Sequence, residues 1–290
     1  MSMSAIPHPF VVHRIRLREE LELSFVDEGE GPHTLLLVHG LGSSKASWYK
    51  LITRLRSHFR VLALDLPGYG ESSKGDFSGS MDFFAGILRE FIYRMALQRV
   101  VAVGHSMGGQ IVLALALQHG SLLQRMVLLA PAGFETFTEV EGLWIRNLYR
   151  PALLRAVPFS RTEKNIIMNF HHFPEDAQFM IDQRRELEED SAAFSQYCQT
   201  ISRCVEGMIV SPVFDRLEKI SLPSLTIFGL EDAFIPNRML HPRQSVQKVA
   251  EAGHRQLLQD QLCLLKGCGH MLQWECSEKV AARIRAFLEV

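Results

Sequence analysis

The sequence predicts an α/β protein in which a mostly parallel β-sheet carries helices on both faces and is interrupted by a helical insertion. Three observations lead to this prediction. Short, continuous apolar runs that end in Gly or Pro alternate with helical patterns. This alternation stops after residue 134 and resumes near residue 213. The stretch between contains amphipathic helical pieces and no run that is typical of a strand.

The first half of the chain supplies six predicted strands and a clear helix. HRIRLREELELSFVDEG (13–29) alternates polar and apolar residues, which favours an antiparallel pair of half-buried strands at a sheet edge. Four apolar runs follow, at residues 34–40, 60–68, 99–106 and 125–133, and they are typical of strands buried on both faces. SMDFFAGILREFIYRMAL predicts an amphipathic helix with Ser80 as its N-cap.

The insertion divides the chain into a core of residues 1–134 and 213–290 and a helical cap of residues 135–212. After the cap, SLTIFGLED (224–232) and QLCLLKGCGH (261–270) predict two more strands, with a helical stretch around 242–260 between them. A final helix is predicted in SEKVAARIRAFLEV, with Ser277 as its N-cap.

Composition excludes several classes of protein. The net charge is −1 and Lys and Arg form no run of five, which argues against nucleic acid or an anionic membrane surface as the main partner. MSMSAIPHPF lacks the features of a signal peptide, and no apolar run is long enough for a transmembrane helix. We therefore expect a cytoplasmic monomer or homodimer that acts on a small molecule.

The cysteines predict no disulfide framework and no metal site. Five are present, an odd number, and none forms a CxxC pair. We expect them to be reduced and mostly packed in the interior, and we expect neither a metal nor a cofactor, because no Cys/His cluster has ligand spacing and no nucleotide fingerprint is present.

GHSMG (104–108) is the motif with the clearest chemistry. It fits G-x-S-x-G between a predicted strand and a predicted helix. In that context a strained turn exposes the hydroxyl of Ser106 at the edge of the sheet, and the flanking glycines avoid side-chain collisions.

Five segments taken in order give the chain a resemblance to the α/β-hydrolase superfamily over essentially its whole length: HGLGSS (39–44), DLPGYGES (65–72), GHSMGG (104–109), GLED (229–232) and GCGHMLQWE (267–275). The resemblance implies an α/β-hydrolase fold with an eight-stranded, mostly parallel sheet and a cap inserted after the sixth strand. It also implies a catalytic triad of Ser106 as nucleophile, His270 as base and Asp232 as orienting acid. Glu231, the neighbour of Asp232, is the alternative acid. The 38 residues from Asp232 to His270 are more than the family usually has there.

The same resemblance implies an oxyanion hole formed by two backbone N–H groups. One is the N–H of Met107, and the other belongs to Leu41, or alternatively to Gly42. His39 is expected to organise this loop, and Asp65 to have a structural role near its own turn.

The cap is expected to cover the site and to select the substrate. Candidate pocket residues are Gly42, Phe134, Phe137, Trp144 and Arg184, although the apolar ones could instead pack the cap onto the core. An apolar cap suits an acyl chain or an aromatic acyl group, and this favours a carboxylesterase or an enzyme like monoacylglycerol lipase.

Two alternatives remain open. GHMLQWE resembles a segment of the carbon–carbon bond hydrolases that act on meta-cleavage products, and Arg184 or Arg185 could bind a substrate carboxylate. The other alternative is a non-catalytic receptor with a hydrolase fold.

Overall fold

The computed structural model describes residues 9–289. The segment in which we expected no signal peptide begins with residues 1–8, which lie outside the described part. Within the described part, no helix is both long and apolar enough to cross a membrane.

Eight strands form a single sheet in the order β1-β2-β4-β3-β5-β6-β7-β8. Their bounds are β1 Val12–Arg18, β2 Leu21–Glu28, β3 Thr34–Val38, β4 Arg60–Leu64, β5 Val100–His105, β6 Leu123–Leu129, β7 Ser224–Gly229 and β8 Asp260–Leu265. β1 pairs antiparallel with β2 and β2 antiparallel with β4, whereas the pairs from β4 through β8 are parallel. The predicted eight-stranded, mostly parallel sheet is confirmed.

The central strands β3 to β7 are largely buried because helices cover the sheet, whereas the edge strands β1 and β8 are partly exposed. The bounds of the helices outside the insertion are α1 Tyr49–Leu55, α2 Met81–Arg94, α3 Met107–His119, α9 Val246–Gln256, α10 Leu272–Glu275 and α11 Ser277–Leu288. α1 packs with α11, and α2 packs with α3, which also lies against β5 and β6. Every residue of β3 and β5 is buried, as the continuous apolar runs predict.

Two predicted N-caps have different outcomes. The Ser80 hydroxyl accepts the N–H of Phe83 at the start of α2, as predicted. Ser277 is not a cap, because α10 continues almost directly into α11 and makes Cys276 the N-cap residue. The Ser277 hydroxyl accepts instead from the guanidinium Nε of Arg54 on α1.

Five helices lie between β6 and β7 and contribute no strand: α4 Glu139–Leu148, α5 Pro151–Arg155, α6 Phe159–Ile167, α7 Gln178–Glu189 and α8 Ser191–Val210. α4, α5 and α7 all pack on α8, and α6 packs on α7. These helices, with the loops that join them, are called the inserted segment below.

Candidate active site

Ser106 is the single residue between β5 and α3, and its backbone is strained. Its φ of 53° and ψ of −118° lie in a region that non-glycine residues rarely adopt. Three backbone N–H groups hold its carbonyl oxygen, from Gly109, Gln110 and Ala132. Such a conformation costs about 1–3 kcal/mol and persists because the surroundings enforce it.

Close packing requires a glycine at position 108, two residues after Ser106. A Cβ on Gly108 would lie 2.1 Å from the carbonyl oxygen of Val38 at the end of β3. Only glycine therefore lets α3 start directly above the carboxyl end of that strand.

His270 and Asp232 are joined by a buried hydrogen bond. His270 Nδ1 donates to Asp232 Oδ2 at 2.7 Å, and Asp232 is 1% exposed. The other oxygen, Oδ1, accepts the backbone N–H groups of Phe234 and Ile235. The length of chain between Asp232 and His270 is taken up by a loop, α9 and β8, so it does not separate the two residues.

Glu231, the alternative acid, hydrogen-bonds to backbone N–H groups of the loop before His270. Its Oε2 accepts the backbone N–H groups of Gly267 and Cys268, at 2.8 and 3.0 Å. Glu231 thus supports the loop that carries His270 and does not contact the imidazole.

A disulfide encloses the same loop. Cys268 and Cys276 are bonded and buried, with Cα atoms 6.0 Å apart, while Cys198, Cys204 and Cys263 are free. The expectation of five reduced cysteines is wrong for this pair. Their spacing of eight residues matches no short cysteine motif, and they meet only because α10 turns the chain back.

Glu275 connects this loop to the inserted segment. Its carboxylate accepts the backbone N–H groups of Gly269, His171 and His172, at 2.7, 3.1 and 2.6 Å. Next to it, Trp274 Nε1 donates to Asp176. Trp274 and Glu275, the last two residues of GHMLQWE, therefore both bind residues of the inserted segment.

The loop after β3 lies against Ser106. A Cβ on Gly40 would come within 3.1 Å of the Ser106 Cβ, and the next two residues, Leu41 and Gly42, line the same cavity as Ser106. His39 fixes the loop, because its Nδ1 donates to the Gly40 carbonyl and its Nε2 accepts the N–H of Leu66. Burial lowers the pKa of His39, so the neutral ring that this arrangement requires is favoured.

A buried ion pair holds the far end of that loop. Lys45 Nζ lies 2.7 Å from Asp65 Oδ2, with side chains 2% and 0% exposed. Asp65 also accepts the backbone N–H groups of Lys45 and Glu71. Asp65 therefore ties the loop after β3 to the loop after β4, in line with the structural role predicted for it.

His105, the residue directly before Ser106, supports His270. His105 Nε2 donates to the main-chain carbonyl of His270, and the two rings lie 4.8 Å apart. Burial lowers the pKa of His105 well below its ordinary value. The only signal in the sequence is its position next to Ser106.

A cavity of about 940 Å³ opens above these groups. Ser106, His270, Leu41 and Gly42 line its floor, at the carboxyl ends of the parallel strands. The inserted segment supplies a mostly apolar wall, whose members include Ile145, Tyr149, Leu154, Ile166, Phe170, Phe179, Met180, Leu187, Ile201 and Val205.

The predicted pocket residues divide into two sets. Gly42, Phe137 and Arg184 line the cavity. Phe134 does not: it is 2% exposed and packs in the core against Phe228 and α9. Trp144 is half-buried against the core and is also absent from the lining. Sequence could not separate these cases, since an apolar residue suits either environment.

Arg184 is held in a defined position. Its guanidinium lies 4.4 Å from the ring centroid of Tyr197 and 5.2 Å from that of Phe194, and its Nε donates to Glu188 at 2.8 Å. Stacking and an ion pair thus fix a cation in the cavity wall.

Within residues 9–289, no group of three or more His, Cys, Asp or Glu side chains is arranged to hold a metal ion. The described geometry brings together a hydroxyl, an imidazole that is hydrogen-bonded to a carboxylate, and backbone N–H groups.

Known proteins share this architecture. Residues 33–276 match the alpha/beta hydrolase fold family. An uncharacterized hydrolase of Bacillus subtilis is 28% identical, over 90% of this chain and 92% of its own length. A 2-hydroxy-6-oxononadienedioate/2-hydroxy-6-oxononatrienedioate hydrolase of Paraburkholderia phymatum is 26% identical, over 93% of this chain and 91% of its own.

A solved structure points the same way. The crystal structure of a bacterial membrane phospholipase A superposes with a TM-score of 0.79 at 25% identity, covering 97% of this chain and 86% of that one. The family match spans most of the chain and agrees with the sheet order and the turn at Ser106. The chain therefore belongs to the alpha/beta hydrolase fold family.

Proposed function

We propose that the protein is a serine hydrolase that cleaves carboxylic esters of medium-chain or aromatic acyl groups, with monoacylglycerols among its substrates. The observation that carries the proposal is the buried Asp232–His270 hydrogen bond at the floor of the cavity that Ser106 also lines. Residues 135–212 would act as the cap whose apolar wall receives the acyl group.

In the proposed reaction, Ser106 Oγ attacks the ester carbonyl carbon while His270 Nε2 takes the hydroxyl proton. The backbone N–H groups of Leu41 and Met107 stabilise the oxyanion of the tetrahedral intermediate. The intermediate collapses to an acyl-enzyme, and the alcohol leaves with the proton from His270. A water molecule, deprotonated by His270, then attacks the acyl carbon and releases the carboxylic acid and free Ser106. Asp232 keeps the imidazole in the required tautomer throughout.

Two features support ester cleavage. The cavity wall from the inserted segment is largely apolar, as an acyl chain requires. The solved structure that shares the fold is described as a membrane phospholipase A, and a phospholipase A is by definition an enzyme that cleaves carboxylic esters.

A second candidate is a carbon–carbon bond hydrolase. It is favoured by the fixed cation of Arg184 in the cavity wall and by the Paraburkholderia phymatum relative. The GHMLQWE segment supports it less than its sequence suggests, because Trp274 and Glu275 bind the inserted segment and lie outside the cavity lining.

A fluorophosphonate probe followed by peptide mass analysis tests the nucleophile. We expect a label on Ser106, no label in Ser106→Ala, and an unchanged label in Ser221→Ala, whose serine is exposed. Absence of labelling in folded protein would contradict the mechanism and favour a non-catalytic receptor.

A substrate panel tests the reaction class. p-Nitrophenyl butyrate and octanoate should be turned over faster than the palmitate, and a ring-fission dienoate should not be turned over. Turnover of the dienoate without ester cleavage, with loss of that activity in Arg184→Met, would support the second candidate instead.

A further inference from the structure

The outer surface of the first three inserted helices is unusually apolar. Twelve large hydrophobic side chains are exposed among the described residues, and half of them fall within residues 140–168, a tenth of the chain. They are Val140, Leu143, Leu148, Leu153, Ile167 and Met168, which are between 40% and 77% exposed. Clustered apolar exposure of this kind marks an interaction surface.

None of these side chains lines the cavity, although the three helices that carry them supply part of its wall. The lining residues are Ile145 of α4, Tyr149 directly after it, Leu154 of α5 and Ile166 of α6. On α4, the exposed positions 140, 143 and 148 lie on the face opposite the buried Gly142 and Ile145. We call the six exposed side chains the outer apolar face.

Cations lie on the helices that carry the outer apolar face and in the loops between them. Residues 139–168 contain five Lys or Arg and three acidic residues, Glu139, Glu141 and Glu163, which gives a formal charge of +2 in a chain whose net charge is −1. Arg150, Arg155, Arg161 and Lys164 are exposed. The near-zero net charge of the chain therefore does not reveal that exposed basic residues are concentrated on these helices.

We propose that the outer apolar face and its cations dock the protein on an anionic lipid bilayer, with α4, α5 and α6 lying in the headgroup region. Apolar side chains that insert beside basic ones are the pattern of helices that bind such interfaces. The proposal extends beyond the proposed reaction, since docking needs no turnover.

The charge decides between a bilayer and a second copy of the chain. A two-fold symmetric dimer through this face would place each copy's cluster of cations against the other's. That contact is repulsive, whereas anionic headgroups neutralise the same cations.

Sedimentation with lipid vesicles tests the proposal, using the Ser106→Ala protein so that the outcome does not depend on activity. Vesicles of equal parts phosphatidylglycerol and phosphatidylcholine should bind it, and pure phosphatidylcholine vesicles should bind much less. Binding should weaken as salt is raised.

Two double variants separate the contributions. Arg150→Gln with Lys164→Gln should weaken binding about fivefold for each cation removed. Leu153→Gln with Ile167→Gln should weaken it about tenfold or more. The matched controls are Arg89→Gln with Arg283→Gln and Val11→Gln with Leu258→Gln, which alter exposed residues of the core and should bind like the parent.

Three results would overturn the proposal. The first is equal sedimentation with anionic and neutral vesicles. The second is the same loss of binding in the control variants. The third is a dimer in sedimentation equilibrium that Leu153→Gln with Ile167→Gln dissociates, which would assign the face to self-association.

Discussion

His105 and His270 are joined through the backbone, since the ring Nε2 of His105 donates to the main-chain carbonyl oxygen of His270 at 2.9 Å. The donor lies directly before Ser106 and the acceptor belongs to the proposed base. This hydrogen bond thus links the last residue of β5 to the loop after β8, across the two intervening strands β6 and β7.

Loss of this bond should impair catalysis. In His105→Leu the buried carbonyl of His270 loses its donor, and we expect kcat on p-nitrophenyl butyrate to fall about tenfold with little change in KM. His105→Gln keeps an N–H donor at a similar distance and should recover much of kcat. A folded His105→Leu protein with parental kcat would show that the bond does not position His270.

Stability should fall as the solution becomes acidic. Burial lowers the pKa of His39 and that of His105, so below about pH 6.5 the unfolded chain binds more protons than the folded protein. Their contribution is complete above that pH and is lost as the pH falls towards the lowered values, by up to about 1.4 kcal/mol per pH unit for each histidine. Urea unfolding across this range measures the slope, and His105→Gln should reduce it. An unchanged slope in that variant would contradict the prediction for His105.

Asp232 and Glu231 should differ sharply in their effects on turnover. Asp232→Asn should lower kcat by about three to four orders of magnitude, because a neutral amide no longer holds the correct tautomer of His270. Glu231→Gln keeps an oxygen that can accept the N–H groups of Gly267 and Cys268, so its kcat should stay within about threefold of the parent's. Steady-state kinetics on p-nitrophenyl butyrate decides the matter, and near-normal turnover in Asp232→Asn would exclude it as the acid.

The Lys45–Asp65 pair should be important for stability. Lys45→Met leaves the Asp65 carboxylate buried without its cation, which should reduce the free energy of unfolding by about 3–5 kcal/mol. Arg60→Met provides the control, because the Arg60–Asp27 pair is 35% and 20% exposed and water can replace the lost partner. Equal losses in the two variants, measured by urea unfolding, would contradict the prediction.

Removal of the disulfide should loosen the loop of His270. Cys268→Ala with Cys276→Ala opens a loop of eight-residue separation, and we expect a loss of about 2–3 kcal/mol in the free energy of unfolding. kcat should fall as well, because the bond encloses His270. Cys263→Ser changes a free cysteine and should leave both quantities close to those of the parent. A double variant as stable as Cys263→Ser would show that the bond contributes nothing.

The strands, the turn at Ser106 and the insertion could be predicted because each depends on a local pattern. Apolar runs identify β3 and β5, and glycines on both sides of Ser106 identify the turn. The pairing of Asp232 with His270 was available only through the family resemblance, since 38 residues separate them.

The contacts that support His270 and the cavity could not be predicted, because they join residues that are far apart in the sequence. Glu275 binds backbone N–H groups more than a hundred residues away, at positions 171 and 172, and any residue type could supply such groups. Phe134 and Phe137 are three residues apart and equally apolar, yet only Phe137 reaches the cavity. Those outcomes depend on how distant elements meet in three dimensions.

The Glu275 carboxylate also limits how the cavity can open. With the bond from Met271 N–H to the Asn169 carbonyl, it anchors the middle of the inserted segment to the loop of His270. Raising the entire segment would pull His270 out of place. A bulky molecule can therefore enter an intact site only if residues 169–172 stay in place while other parts of the inserted segment move.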